Sequence, residues 1–124
     1  MTGFHQALTG LLSALDIPVY PAGQIPGNTR FPYITCQVGA AAFGGTAPVI
    51  VSAWFLGSRA RSDRADICER IRLLIPEEGV RLRFDGGMAV CYRASGEFIS
   101  LVTDATEPRT LGARIRLTVK LYDL

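Results

Sequence analysis

The chain has 124 residues, of which 48% are hydrophobic and 19% charged, with a formal net charge of +2. One domain of this length, 1–124, buries roughly 65% of the surface its unfolded chain exposes, so a single core can hold it and a disordered chain is excluded. A charge this small neither demands nor excludes a polyanionic partner.

The first element is a helix over Thr2 to Leu15. Phe4, Leu8, Leu11, Leu12 and Leu15 recur at three and four, which places them on one face. Thr2 is its expected N-cap, and Asp16-Ile17-Pro18 ends it, because the residue before proline is pushed out of the helical region. Val19-Tyr20 reads as a very short strand. A kinked loop with Pro21, Gly23, Pro26, Gly27 and Asn28 follows, and Phe31-Pro32 leads into a strand over Tyr33 to Val38, rich in β-branched and aromatic residues.

Gly39 to Pro48 is small and glycine-rich, with Phe43 alone in it, and reads as a flexible connection or the tip of a long hairpin. Val49 to Leu56 is the next strand. It is largely apolar on both faces, which predicts that both are covered. A second helix opens at Gly57-Ser58 and runs to Leu74, with Ala65, Ile67, Cys68, Ile71, Leu74 and Ile75 as its apolar stripe. Ser58 or Ser62 is its expected N-cap, and Pro76 stops it.

Val80–Phe84 and Met88–Tyr92 form a hairpin around Asp85-Gly86-Gly87, where glycine accepts positive φ. Phe98 to Val102 is a further strand, and Thr103 to Gly112 a polar loop. The chain closes on Arg114 to Tyr122. Ile115, Leu117, Val119 and Leu121 point one way there, and Arg114, Arg116, Thr118, Lys120 and Tyr122 the other. That period predicts one buried face and one cationic face turned to solvent or a partner. The order of elements predicts an α+β fold: a mainly antiparallel sheet of four to six strands with two helices packed on one face.

A search for chemistry comes back empty. His5, the single histidine, lies in the first helical turn with no nucleophile near it in sequence, and reads as a helix-end surface residue. Cys36, Cys68 and Cys91 are odd in number, far apart, set in apolar stretches and not at metal-ligand spacing, which predicts three free thiols in a reducing compartment. Asp63 and Asp66 sit among arginines and read as helix-end electrostatics. Gly44-Gly45 and Gly86-Gly87 match no phosphate-binding loop. No catalytic, cofactor-binding or metal-binding residue is therefore assigned, and no enzyme is expected.

No signal peptide is apparent. The longest apolar-rich run, Ala47 to Leu56, is too short to span a bilayer, so a soluble protein made in a cytoplasm is expected.

The arginines carry more information. Arg59, Arg61 and Arg64 cluster at the start of the second helix, and Arg81, Arg83, Arg93, Arg114 and Arg116 lie on expected strands. They can be a wet face, phosphate contacts, or forks for carboxylates of a neighbouring subunit such as Glu77, Glu78, Glu97, Asp104 or Glu107. No proline blunts the last strand, which leaves it an open edge asking for a partner. Arg59, Arg61, Arg64, Arg114, Arg116 and Lys120 are the candidates for a subunit interface or a lumen. Reversing Arg114 and Arg116 to glutamate is expected to disturb assembly more than folding.

The order of features resembles the tail terminator, or tail completion, proteins of long-tailed bacteriophages and phage-derived gene transfer particles. It does so through the N-terminal leucine helix, Pro18-Val19-Tyr20-Pro21 and its proline/glycine loop, and Phe31-Pro32-Tyr33-Ile34-Thr35. The strand ending in Gly57-Ser58 then feeds the helix with Ala65, Ile67, Ile71 and Leu74, and a hairpin, the loop at Asp104 and the arginine-bearing closing strand complete the match. The similarity spans nearly the whole chain and rests on order.

The resemblance implies a structural virion protein without cofactor: a homo-oligomeric ring, usually a hexamer, at the head-proximal end of the tail tube. Such a ring stops tube polymerisation and forms the head–tail joining surface. Its partners would be the tail tube protein and the head–tail connector, with transient, non-specific DNA contact in the lumen and no membrane. Its place would be the virion tail, assembled in the bacterial host cytoplasm. Another head–tail neck or connector protein, or a small α+β ligand- or nucleic-acid-binding module, is the alternative.

Overall fold

A computed structural model describes residues 2–40 and 45–123. Helix α1 spans Thr2–Leu12 and tightens into a 3-10 turn over Ser13–Leu15. Asp16 then adopts the left-handed conformation, φ 57 and ψ 33, and its N–H donates to the Ser13 carbonyl. The helix expected over Thr2 to Leu15 thus exists with its last turn wound more tightly. Thr2 is itself helical and is not the cap.

The strands are β1 (Val19–Pro21), β2 (Tyr33–Val38), β3 (Thr46–Leu56), β4 (Val80–Phe84), β5 (Gly87–Arg93), β6 (Ile99–Thr103) and β7 (Thr110–Asp123), with helix α2 (Ala60–Leu74) between β3 and β4. They form one sheet in the order β1-β2-β3-β7-β5-β4, with β6 also paired to β7. Every pair is antiparallel except β1–β2. The sheet has seven strands rather than four to six, because the very short β1 and the separate β6 both pair. α1 packs on β4 and β5, and α2 on β3 and β7, so both helices cover one face.

β7 is not an open edge. It is the centre of the sheet, paired along β3 from Thr110 to Lys120 on one side. On the other side it pairs with β5 through Leu117–Asp123 and with β6 through Leu111–Ile115. Side-chain alternation reports which face a residue takes, never which strands flank it, and this is why the sequence pattern misplaced the edge. Among the described residues the unpaired edges belong to β1, β4 and β6.

β5 and β6 behave as one interrupted strand. The Ala94 N–H donates to the Arg116 carbonyl at 3.0 Å, and the Arg116 N–H donates to the Phe98 carbonyl at 2.8 Å. Both ends of the interruption therefore close on a single residue of β7, and Ser95-Gly96-Glu97 loop out between them.

Three local expectations are corrected. The residue before α2 is Arg59, with no side-chain cap bond, so neither Ser58 nor Ser62 caps it; Asp63 in the first turn supplies the favourable charge instead. In the β4–β5 hairpin only Asp85-Gly86 form the turn, with Gly86 at φ 85, while Gly87 opens β5. β3 begins at Thr46, so Pro48 lies within a strand; its missing donor falls where the β2–β3 ladder ends, the Gly39 N–H still reaching the Pro48 carbonyl. Phe43 and Gly44 of the glycine-rich connection lie outside the described residues.

One core forms between helices and sheet. Phe4, Leu8 and Leu15 from the N-terminal helix, Ile67, Ile71 and Ile75 from α2 and its end, Val49, Val51, Ala53 and Phe55 of β3, and Ala113, Ile115, Leu117, Val119 and Leu121 of β7 are at most 3% exposed. The three cysteines are unpaired, Cys68 and Cys91 buried and Cys36 half-buried. Among the described residues no helix is long and apolar enough to cross a membrane.

Candidate assembly surfaces

The six residues singled out from the sequence lie on two separate surfaces. Arg114, Arg116 and Lys120 project from β7 away from the helices, opposite Ser52, Ile50 and Thr46 of β3. On the other side of β7, Lys120 faces Val90 and Tyr122 faces Met88. Arg81 and Arg83 of β4 lie beside Val90 and Met88 and extend the same face. Arg59, Arg61 and Arg64 are instead at the start of α2, in the helix layer.

No helix covers the outer sheet face, yet it is not a simple wet face. Ile50, Trp54, Met88 and Tyr122 are half-buried there, and Ser52 and Val90 are buried. The doubly apolar β3 was the signal for this. Its second face lies on the side of the sheet opposite α1 and α2, and Ile50 and Trp54 remain half-buried there.

Trp54 sets the geometry at one end. Gly112 lies opposite it on β7, and a Cβ built on Gly112 would come within 2.7 Å of the Trp54 ring and 3.0 Å of Val102 Cγ2. Only glycine lets the indole lie against the strand. Nearby, the Tyr33 hydroxyl has its pKa raised, first by burial and then by the negative charge of Asp104.

Charge on this face is unbalanced. Arg116 donates to Ser100 Oγ at 2.9 Å and meets the Glu97 carboxylate at 3.8 Å. Lys120 lies 5.4 Å from the centre of the Tyr122 ring. Arg81, Arg83 and Arg114 have no hydrogen bond or ion pair among the described residues. Several carboxylates that could have served a neighbour are engaged within the chain: Glu77 reaches Arg93 at 4.0 Å and Glu107 grips Arg109 at 3.0 Å. The Glu107 carboxyl is held down to about 2, mainly by hydrogen bonds from the Arg109 side chain. Asp104 accepts from the Thr106 N–H and hydroxyl, which lowers its pKa too.

On the helix side, several arginines hold the fold together. Arg70 donates to the Ala14 and Leu15 carbonyls, tying α2 to the 3-10 turn. Arg93 donates to the Ile75 carbonyl at 2.8 Å and the Arg72 carbonyl at 3.1 Å, satisfying the C-terminal end of α2. Its guanidinium also lies 4.6 Å from the Phe98 ring centre. These anchoring roles could not be read from sequence, because they depend on which carbonyls the topology brings near. Arg64 makes long contacts, 3.4 Å each, to the Val102 and Gly112 carbonyls. With Arg61, Arg72, Cys68, Ile99 and Leu101 it lines a groove between α2 and β6.

His5 borders a small apolar cavity of about 70 Å³, with Leu8, Val19, Cys36 and Val38. Burial pushes the Cys36 thiol up to about 11, which leaves it protonated and a poor nucleophile at neutral pH. Among the described residues no three His, Cys, Asp or Glu side chains are grouped closely enough to hold a metal ion.

No protein-family model matches the chain, and no curated protein matches it. Among solved structures, a protein known by a sequence identifier alone is similar to it, with a TM-score of 0.63 and 15% identity over 99% of this chain and 93% of that one. At that identity the likeness is one of fold, and it covers essentially the whole domain.

Proposed function

We propose that this protein is a structural subunit of a phage-type tail, closing the head-proximal end of the tail tube as a homo-oligomeric ring and offering the surface on which the head is joined. The observation that carries the reading is the outer sheet face. Half-buried Ile50, Trp54 and Met88 lie there among Arg81, Arg83, Arg114, Arg116 and Lys120, on the side of the sheet opposite both helices. A mixed apolar and arginine-rich surface suits burial between protein subunits. The order of sequence features shared with tail terminators supports the same reading.

Sedimentation velocity over a concentration series, with electron microscopy of the same samples, tests it. A closed ring of six copies is expected. Arg114→Glu should shift the ring toward smaller species while leaving the fold intact, since Arg114 has no partner among the described residues. A strict monomer at millimolar concentration would sink the preformed ring.

The cationic bias of the same face favours a second reading, a nucleic-acid-binding module. Phosphate contacts would give an affinity for duplex DNA that falls steeply with salt. Absence of binding at low salt removes this reading and leaves the first untouched.

A further inference from the structure

Among the described residues the sheet has three unpaired edges, and they are not equivalent. β1 is three residues long, preceded by Pro18 and ending in Pro21, so it is a blunted edge. β4 carries Arg81 and Arg83 on its outer face and follows a tight turn at Gly79. β6 is different, because its free edge opens onto the groove beside α2.

The hydrogen-bond parity of β6 follows from its two ends. Phe98 and Asp104 bond across to Arg116 and Thr110, so in the register Ile99↔Ile115 the even-numbered residues bond to β7. The N–H and C=O groups of Ile99, Leu101 and Thr103 therefore point away from β7. Among the described residues they have no partner.

The side chains of these three residues lie on the helix side, where Ile99 and Leu101 form the floor of the groove and Leu101 is 62% exposed. The wall is cationic. Arg61 and Arg64 stand beside the Val102 end, given the reach of Arg64 to the Val102 carbonyl. Arg72 stands beside the Phe98 end, given the bond from Arg93 to its carbonyl and the stacking of Arg93 on Phe98. A single carboxylate in the groove, Glu69, is already bonded to Arg72 at 2.9 Å.

We propose that the β6 edge is a strand-acceptor site for an extended acidic segment of a partner protein, which adds to the sheet with an apolar side chain on Leu101 and carboxylates toward Arg61 and Arg72. Main-chain hydrogen bonds to Ile99, Leu101 and Thr103 supply the docking, and the groove supplies selectivity. A strand alternates its side chains, so the matching segment places acid, apolar, acid on its groove side at every second position. This is independent of ring formation, which uses the opposite face of the sheet.

The test is a titration of the isotopically labelled chain, followed by amide resonances, with the peptide Thr-Glu-Thr-Leu-Thr-Glu-Thr and its counterpart carrying lysine for glutamate. The glutamate peptide should shift the Ile99, Leu101 and Thr103 amides, and the lysine peptide should bind roughly tenfold more weakly or not at all. Leu101→Pro removes the central outward N–H, which the fold does not use, and should abolish the response while Trp54 emission stays unchanged. Should that variant not fold, Arg61→Glu serves: the preference for the glutamate peptide should vanish.

Equal response to both peptides, shifts confined to β1 or β4, or an unaltered preference in Arg61→Glu would overturn the proposal. So would loss of self-association in Leu101→Pro with no peptide response in the parent chain, which would assign the edge to a second copy.

Discussion

On the helix side of the sheet, Val49, Val51, Ala53 and Phe55 of β3 meet Ile115, Leu117, Val119 and Leu121 of β7, and every one is at most 2% exposed. On the other side the intervening residues of the same strands are Ile50, Ser52 and Trp54 against Arg114, Arg116, Thr118 and Lys120. The first face is uniform in chemistry and closed by α1 and α2. The second mixes an indole, an aliphatic group and guanidinium groups, and faces away from both helices. The contrast separates two kinds of selection. The covered face holds the uniformly apolar core, and the other carries the mixed chemistry on which the proposed assembly rests.

The largest expected effect lies on the covered face. Phe4 is fully buried against Phe84, and Phe4→Ala should lower unfolding free energy by about 3–5 kcal/mol, read by urea denaturation. A loss below about 1 kcal/mol would mean that α1 is not part of the core, and the contrast between faces would fail. Next comes Arg93→Ala, which removes two hydrogen bonds to the end of α2 and the stacking on Phe98. About 1.5–3 kcal/mol is expected from such charged hydrogen bonds, with faster amide exchange confined to the last turn of α2.

Gly112→Ala probes the open face. The added methyl meets the Trp54 ring, so a cost of about 1–3 kcal/mol is expected. Because Trp54 is the single tryptophan, its emission should move to the red as the ring is displaced. Arg114→Glu should change stability by less than about 0.5 kcal/mol, as for a surface position with no partner. An effect larger than that of Gly112→Ala would show that the open face carries fold stability after all.

The smallest effect concerns pH. The Glu107 carboxyl titrates near 2 in the fold instead of its usual 4.5, held by Arg109. A depressed carboxylate contributes its stability above the unfolded value and loses it as pH falls through the folded one. The 104–109 turn should therefore stay ordered at pH 5 and loosen as pH falls from 4.5 toward 2, observable as the Glu107 and Arg109 resonances titrating together.

Much of the fold was legible in the chain. Tyr33 to Val38 appears with the boundaries its residues imply, and the alternation of Ile115, Leu117, Val119 and Leu121 gave the core face of β7 correctly. Topology was less accessible. The same alternation is compatible with an edge or a centre, and only the pairing with β3, β5 and β6 decides. Arg114, Arg116 and Lys120 share a strand period and lie on one face of β7. Arg59, Arg61 and Arg64 lie at the start of α2, on a different surface, and charge alone does not say how far apart the two groups sit. Trp54 and Gly112 are far apart in sequence, so their packing could not be foreseen, and the same holds for Arg93 at the end of α2.

The central position of β7 has a consequence for how the chain is made. β3 is synthesised well before the strand that completes its ladder, and α2, β4, β5 and β6 all emerge in between. Until β7 arrives, Val49, Val51 and Phe55 have no long antiparallel neighbour on that side. Long-range closure of this kind slows folding and leaves apolar strand surface open to wrong partners. The order of synthesis thus leaves one side of β3 without its partner strand for as long as the four intervening elements take to emerge.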